Sequence, residues 1–398
     1  MPQFCVRLPR TRAAPHEVTA LGFWPAPCLV GHVLPRRLLP GQSHSATRRV
    51  RDRAFLLRPS QAVNEIVLYA LGVALQRHDV DLHALVVESN HVHTNLTDCG
   101  GETAALPDFF RDFHALTARA LNAHYGRGEN FWKSGSYDNV ELRDKRTIED
   151  QLLYTWTNPV KDGLVDRLED WPGVKFGPED FGRAFTVQRP EQAFFGGRRP
   201  DDWEPTYPPA RKAWRRERHR ARNEERRQRR LAGTRPGARP PRTPAPRPEA
   251  KRRSRRRLPE QVTFTIAPPP GYEHLPIEEV RAHFRRLLDE RVARILQRRQ
   301  EAGFERTMGA DAVRAQDPFA RAGDTFPTFA RNPRIACLEP SRRVDLLLEL
   351  QAWRQQYRAA FELWTKGDRT VVFPRGSYGI LRWHAAKVRT ATGPPVLV

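Results

Sequence analysis

The sequence predicts an α+β protein of ferredoxin-like (RRM-like) plan: a mainly antiparallel sheet with helices on one face, followed by a C-terminal, mainly helical extension. Three observations predict it. Between about Ser60 and Pro159, helical and strand periodicities alternate with hairpin-sized gaps. From Glu204 to about Leu258 the chain becomes a mixture of Pro, Arg and Ala with few apolar residues, which cannot bury enough surface to offset its ordering entropy. Beyond it, two more apolar stripes recur at helical spacing.

Taken in order, residues 1–33 read as an N-terminal extension whose pattern demands no fold. Its apolar stretch, Leu21 to Val30, is interrupted by Pro25 and Pro27 and is too short to span a bilayer. A strand is expected in Ser45 to Arg53 despite a weak period. Ser60 caps a helix whose apolar face is Val63, Ile66, Val67, Ala70, Leu71 and Ala74, running to about Arg77. Asp81–Glu88 and His91–Thr97 read as a hairpin turned at Ser89 and Asn90. Pro107 and Asp108 open a second helix, with Phe109, Phe110, Phe113, Leu116, Ala120 and Leu121 facing the core and Gly126 as its stop. Tyr137–Leu142 reads as a strand. Asp144 caps a third helix from about Lys145 to Thr157, which Pro159 is expected to end. The resulting division is 34–203 for the sheet domain, 204–258 for the linker and 259–398 for the extension. In the extension, the stripes Val280 to Leu296 and Val344 to Trp364 could pair as a helical module.

The chain's 398 residues carry a net charge of +22, which favours an anionic polymer as partner, nucleic acid before membrane. Most of the excess is local: residues 211–257 hold 21 Lys or Arg against 4 Glu, a net of +17. That stretch is either a phosphate-tracking arm or a solvated tether. Cys5, Cys28, Cys99 and Cys337 show neither a disulfide framework nor paired zinc spacing. A cytoplasmic, nucleoid-associated protein without a membrane partner is therefore expected, as monomer or homodimer.

Two local patterns carry chemistry. In Ser89-Asn90-His91-Val92-His93 the histidines sit at i and i+2 of a strand, so both imidazoles project from one face, about 6–7 Å apart at the backbone. One divalent ion can reach both, although a solvated face is the commoner meaning of such a pair. In Tyr154-Thr155-Trp156-Thr157-Asn158 the tyrosine and asparagine are i and i+4 on a helix and share a face, against a buried stripe of Ile148, Leu152 and Trp156. Packing for the phenol and C-terminal capping for the amide are the plainer readings. Tyr125 and Tyr137 have no amide one turn away. Glu88, at a strand end, reads as a solvated turn residue. Phe131, Trp132 and Trp156 are candidates for base stacking or for core.

In their order these motifs resemble the single-tyrosine transposases of the HUH class, especially the REP-associated tyrosine transposases. His91-Val92-His93 is similar to the family's His-hydrophobic-His signature. The run from Leu153 through Asn158-Pro159-Val160-Lys161-Asp162-Gly163 to Val165 is similar to its tyrosine helix and Asn-Pro-Val-Lys-x-Gly ending. The likeness extends over about Leu34 to Gly173. It departs at Ser43-His44-Ser45-Ala46-Thr47, poor in the aromatic and β-branched residues of the family's first strand, which leaves that edge of the sheet open. The resemblance implies that His91 and His93 bind a divalent metal, Mg or Mn, with Asn158 as third ligand and Tyr154 as nucleophile. It further implies cleavage of single-stranded or hairpin DNA through a 5′-phosphotyrosine. A catalytically silent DNA- or RNA-binding protein on the same sheet is the alternative. A replication or conjugation nickase fits less well, since no second tyrosine lies one turn from Tyr154.

Overall fold

A computed structural model of the chain describes residues 35–135, 137–191, 258–304, 306–323 and 334–390, with 220, 223, 224 and 228. The expectations placed on the extension 1–33 and on nearly all of the basic stretch 211–257 lie outside the described residues.

The centre is a six-stranded sheet. Its strands are β1 (Ser43–Arg49), β2 (Val80–Glu88), β3 (His91–Asp98), β4 (Asp138–Leu142), β5 (Lys175–Phe176) and β8 (Ile335–Ala336), in the order β5-β2-β3-β1-β4-β8. All neighbours are antiparallel except β4 and β8. Helices α1 (Gln61–Arg77), α2 (Leu106–His124) and α3 (Lys145–Lys161) pack with the sheet in the main core. The expected α+β class with a mainly antiparallel sheet is the one observed.

Local rules account for most boundaries. The Ser60 hydroxyl accepts from Val63 N at 3.3 Å, and Asp144 accepts from Thr147 N at 2.7 Å, so both predicted caps are made. Helix α2 is capped differently. Asp98, at the end of β3, accepts from the backbone N–H groups of Gly100, Ala105 and Leu106, the last at 2.8 Å. Gly126 takes φ 61, the left-handed turn that stops α2.

Two expectations in the first half of the chain differ from the structure. Helix α3 does not end before Pro159 but runs through it to Lys161. Proline removes one bond of the last turn only, and Asn158, Pro159 and Val160 are all buried, so packing holds the turn in place. The strand expected in Ser45 to Arg53 runs instead over Ser43–Arg49, and it lies inside the sheet rather than at its edge. It is hydrogen-bonded on both sides, to β3 and β4, and followed by a tight turn at Arg51–Arg53. Its buried polar side chains find partners across the sheet: Ser43 with Thr97 Oγ1 at 2.8 Å, and His44 with Asn139 Nδ2 at 3.1 Å.

The C-terminal region begins inside the main core. A two-stranded ribbon pairs β6 (Ala184–Gln188) with β7 (Gln261–Thr265). It lies against α1 so closely that a Cβ on Gly72 would come within 2.5 Å of Val262. Helix α4 (Ile277–Glu301) then packs on α3, with Phe284 against Trp156 and Phe181. After the short α5 (Ala310–Ala315) comes α6 (Pro340–Thr365), which buries Leu346, Leu350 and Trp353 in a small cluster with Ile335. A further cluster joins Ala360 to β9 (Val372–Phe373) and α7 (Tyr378–His384); β10 (Lys387–Val388) pairs with β9. The buried residues of α4 and α6 therefore belong to different clusters, and the two helices do not form the expected pair.

Candidate active site

Strand register sets out the site. Glu88, His91 and Arg49 are direct partners across β2, β3 and β1, as are Val86, His93 and Thr47 one step along. Direct antiparallel partners share a face, so the imidazoles project on one side of the sheet with Glu88 beside them. Helix α3 covers this side. Thr155, fully buried, donates to Asn95 Oδ1 at 2.5 Å, fixing the helix over β3 two residues from His93.

All four predicted site residues meet here. Asn158 Nδ2 lies 2.9 Å from His93 Nε2, 3.3 Å from His91 Nε2 and 2.7 Å from Glu88 Oε1. The Tyr154 ring, half-buried one turn earlier, sits edge-on to the His93 ring with centroids 5.7 Å apart. The imidazole rings are 4.6 Å apart. Lys161, brought round by the continued last turn of α3, donates to Asn158 Oδ1 at 2.7 Å and lies 5.2 Å from the centre of the Tyr154 ring.

The outer ring nitrogens are engaged as well. His91 Nδ1 donates to Asn90 Oδ1 at 2.6 Å, and His93 Nδ1 is 3.0 Å from Thr47 Oγ1. With Nδ1 carrying the hydrogen, each Nε2 presents a lone pair inward, the arrangement a metal-binding imidazole needs. Burial holds both imidazoles neutral: it pushes His93 down to about 3, with Lys161 adding to the effect, and His91 well below its usual value, with His93 adding. Glu88 is pushed up to about 8 by burial and by Asp162. Burial alone would lower Lys161, but Asp162, 3.1 Å away, and the Tyr154 phenol outweigh it and raise it.

Whether these donors suit a cation can be judged from their hydrogen count. Three acceptors, two imidazole nitrogens and a carboxylate oxygen, converge on one amide nitrogen that has two hydrogens to give. A cation held between the two Nε2 atoms would take the place of the amide hydrogens as their partner, so the imidazole pair fits a divalent ion. No three His, Cys, Asp or Glu side chains among the described residues form a metal-holding group. Asn158 turns its Nδ2 to the imidazoles and its Oδ1 to Lys161, so the amide would have to exchange the two to ligate a metal through oxygen.

Several side chains fall elsewhere or were misread. Glu88 is 3% exposed rather than solvated, because α3 closes over the strand end. Tyr125 is buried, and Tyr137 packs on Phe110 at 4.2 Å, its phenol pushed up to about 12 by burial. Phe131, Trp132 and Trp156 are core: Trp132 donates to His114 O and Trp156 to Phe176 O. None of the three presents a free ring to a base. The parts of Thr47, Thr155 and Lys161 were not foreseen. Only Lys161 left a sequence signal, standing three residues after Asn158 on the same helical face.

No helix among the described residues is long and apolar enough to cross a membrane. No family model matches the chain, and none of the curated proteins does. Among solved structures, it is similar to a REP-associated tyrosine transposase bound to a REP hairpin, at 18% identity and TM-score 0.33, over 45% of this chain and 100% of that one. It is also similar to a candidate transposase from Deinococcus radiodurans R1, at 20% identity and TM-score 0.22, over 26% of this chain and 82% of that one.

Proposed function

We propose that the protein is a divalent-metal-dependent endonuclease and strand transferase of the transposase type, acting on single-stranded or hairpin DNA, with Tyr154 as nucleophile. The observation that carries this reading is the convergence of His91 Nε2 and His93 Nε2 on one atom of Asn158, one helical turn from a half-buried phenol. An imidazole pair or a helix-borne tyrosine alone would be unremarkable packing. Their meeting across 61 residues of chain, from His93 to Tyr154, is what calls for a chemical purpose.

His91 and His93 would hold Mg or Mn, with Asn158 as third ligand and with Asn90 and Thr47 fixing the tautomers. When bound, the ion polarises the scissile phosphate and offsets its growing negative charge. The Tyr154 oxygen attacks phosphorus; its bond to phosphorus forms as the bond to O3′ breaks. The phenol proton passes to solvent, and the departing 3′ oxygen takes one up. Lys161, 5.2 Å from the centre of the Tyr154 ring, would offset negative charge that develops beside the attacking oxygen. The product is a 5′-phosphotyrosine and a free 3′-hydroxyl. Because the phosphotyrosine keeps the bond energy, another 3′-hydroxyl can be joined by the reverse attack without ATP.

Incubation with labelled hairpin DNA and Mn should give a denaturant-resistant protein–DNA adduct. Tyr154→Phe should abolish it and His91→Ala should reduce it by about a hundredfold or more, as for loss of a group that acts in the transition state. An undiminished adduct in Tyr154→Phe would sink the assignment. Binding without any adduct in the parent would favour the silent nucleic-acid binder.

A further inference from the structure

The row that carries His91 continues beyond β1. Val50 and Trp132 form an antiparallel bridge, with Lys133 N donating to Arg49 O and Arg51 N to Phe131 O, both at 2.9 Å. Lys133 is therefore directly opposite Arg49, and Arg49 directly opposite His91. On the imidazole face one row reads Glu88, His91, Arg49, Lys133, with successive strands about 4.8 Å apart.

Both cations are exposed, and among the described residues neither enters an ion pair. The other side of the site differs, since Lys161 is already held by Asp162 and Asn158. Next to the row the chain turns through Asp52 and Arg53 at φ 58 and 56, a left-handed conformation that residues other than glycine seldom adopt. The turn's one carboxylate, Asp52, is shared between Arg51 at 3.5 Å and Arg321 at 3.8 Å. Arg51 also reaches Glu129 at 3.9 Å, so these carboxylates are engaged and Arg49 and Lys133 stand on this flank without an ion-pair partner among the described residues.

We propose that Arg49 and Lys133 form a phosphate track, along which the single strand runs from Tyr154 across β1 to the 131–133 segment. The track deepens the DNA-cleavage reading and rests on it. Lys and Arg bind backbone phosphate without reading sequence, and the two aromatic rings beside them, Phe131 and Trp132, are buried. Contacts here are therefore indifferent to base identity and sensitive to salt.

The test uses full-length Tyr154→Phe protein, which binds without cutting, and two labelled hairpins, one blunt and one with a single-stranded flank. Binding is followed by fluorescence anisotropy across a salt series. Arg49→Gln and Lys133→Gln should each weaken binding of the flanked hairpin and lower its salt slope by about 0.7, the value for one phosphate contact on a single strand. The blunt hairpin should change less. Arg119→Gln, an exposed cation on α2, should leave both unchanged. Parent-like slopes in both track variants would overturn the track, as would an equal loss in Arg119→Gln. Should the active protein form no adduct while the track variants still lose slope, the cleavage reading falls and the track stands. An adduct with unaltered slopes gives the converse.

Discussion

His44 lies outside the candidate site, yet its burial makes a testable statement about stability. It is 1% exposed, and burial, aided by Arg36 and Arg143, pushes it down to about 3; His83, 2% exposed, is also lowered by burial. The unfolded chain takes up these protons near pH 6.5, but the folded chain does so only at lower pH, for His44 at about 3. The unfolded state therefore binds more protons in that window, and stability must fall as pH drops below 6.5. The slope approaches about 1.4 kcal/mol per pH unit for each such imidazole. Glu88 works oppositely between its ordinary range and about 8, but as one group against several imidazoles. A urea midpoint lower at pH 5.5 than at pH 6.5 is expected; an unchanged midpoint would mean that these rings are charged when folded. The site residues were legible at this scale because each pair is local: His91 and His93 two apart on a strand, Tyr154 and Asn158 four apart on a helix. Glu88 was not. Its burial depends on a helix some 70 residues later in the chain, which no local period encodes.

Among the elements, α2 shows how a cap can come from a neighbour. Asp108 sits in the first turn, where a sequence reading looks, yet the N–H groups of Ala105 and Leu106 are met by Asp98 from β3. The carboxylate thus ties the end of the central hairpin to the start of α2. Asp98→Ala should cost about 2–4 kcal/mol, by loss of charge-assisted bonds to buried donors, and Asp98→Asn clearly less. Chemical denaturation would show it, and a cost below about 1 kcal/mol would mean that water replaces the cap. The length of α3 was misjudged for a related reason. Pro159 is a local stop signal, but burial of the last turn overrides it, and the extra turn is what brings Lys161 to Asn158. Strand β1 was faint because it is polar; its side chains bond across the sheet, which hydrophobic patterning cannot reveal.

Over the whole molecule, the composition shift after residue 203 suggested that the chain starts a new body beyond the basic stretch, whereas residues 262–313 return to the first core. Val262 and Phe264 meet α1, and Phe284 meets Trp156, so the core of the N-terminal half is incomplete without them. This could not be read from order along the chain, since the interruption is long and the apolar residues that resume after it look like any others. The ribbon holds Gln188 and Gln261 as direct partners, so the pairing itself brings together the two ends of chain on either side of residues 189–260. For a flexible connection in general, each doubling of length costs only about 0.6 kcal/mol in closure entropy. Two fragments made separately, 1–195 and 255–398, should therefore copurify and melt in one transition; fragments that stay apart would show that the connection itself is needed. A polypeptide that can be severed there and still reassemble could also accept a foreign insert at the same place, a natural port for fusing a second activity.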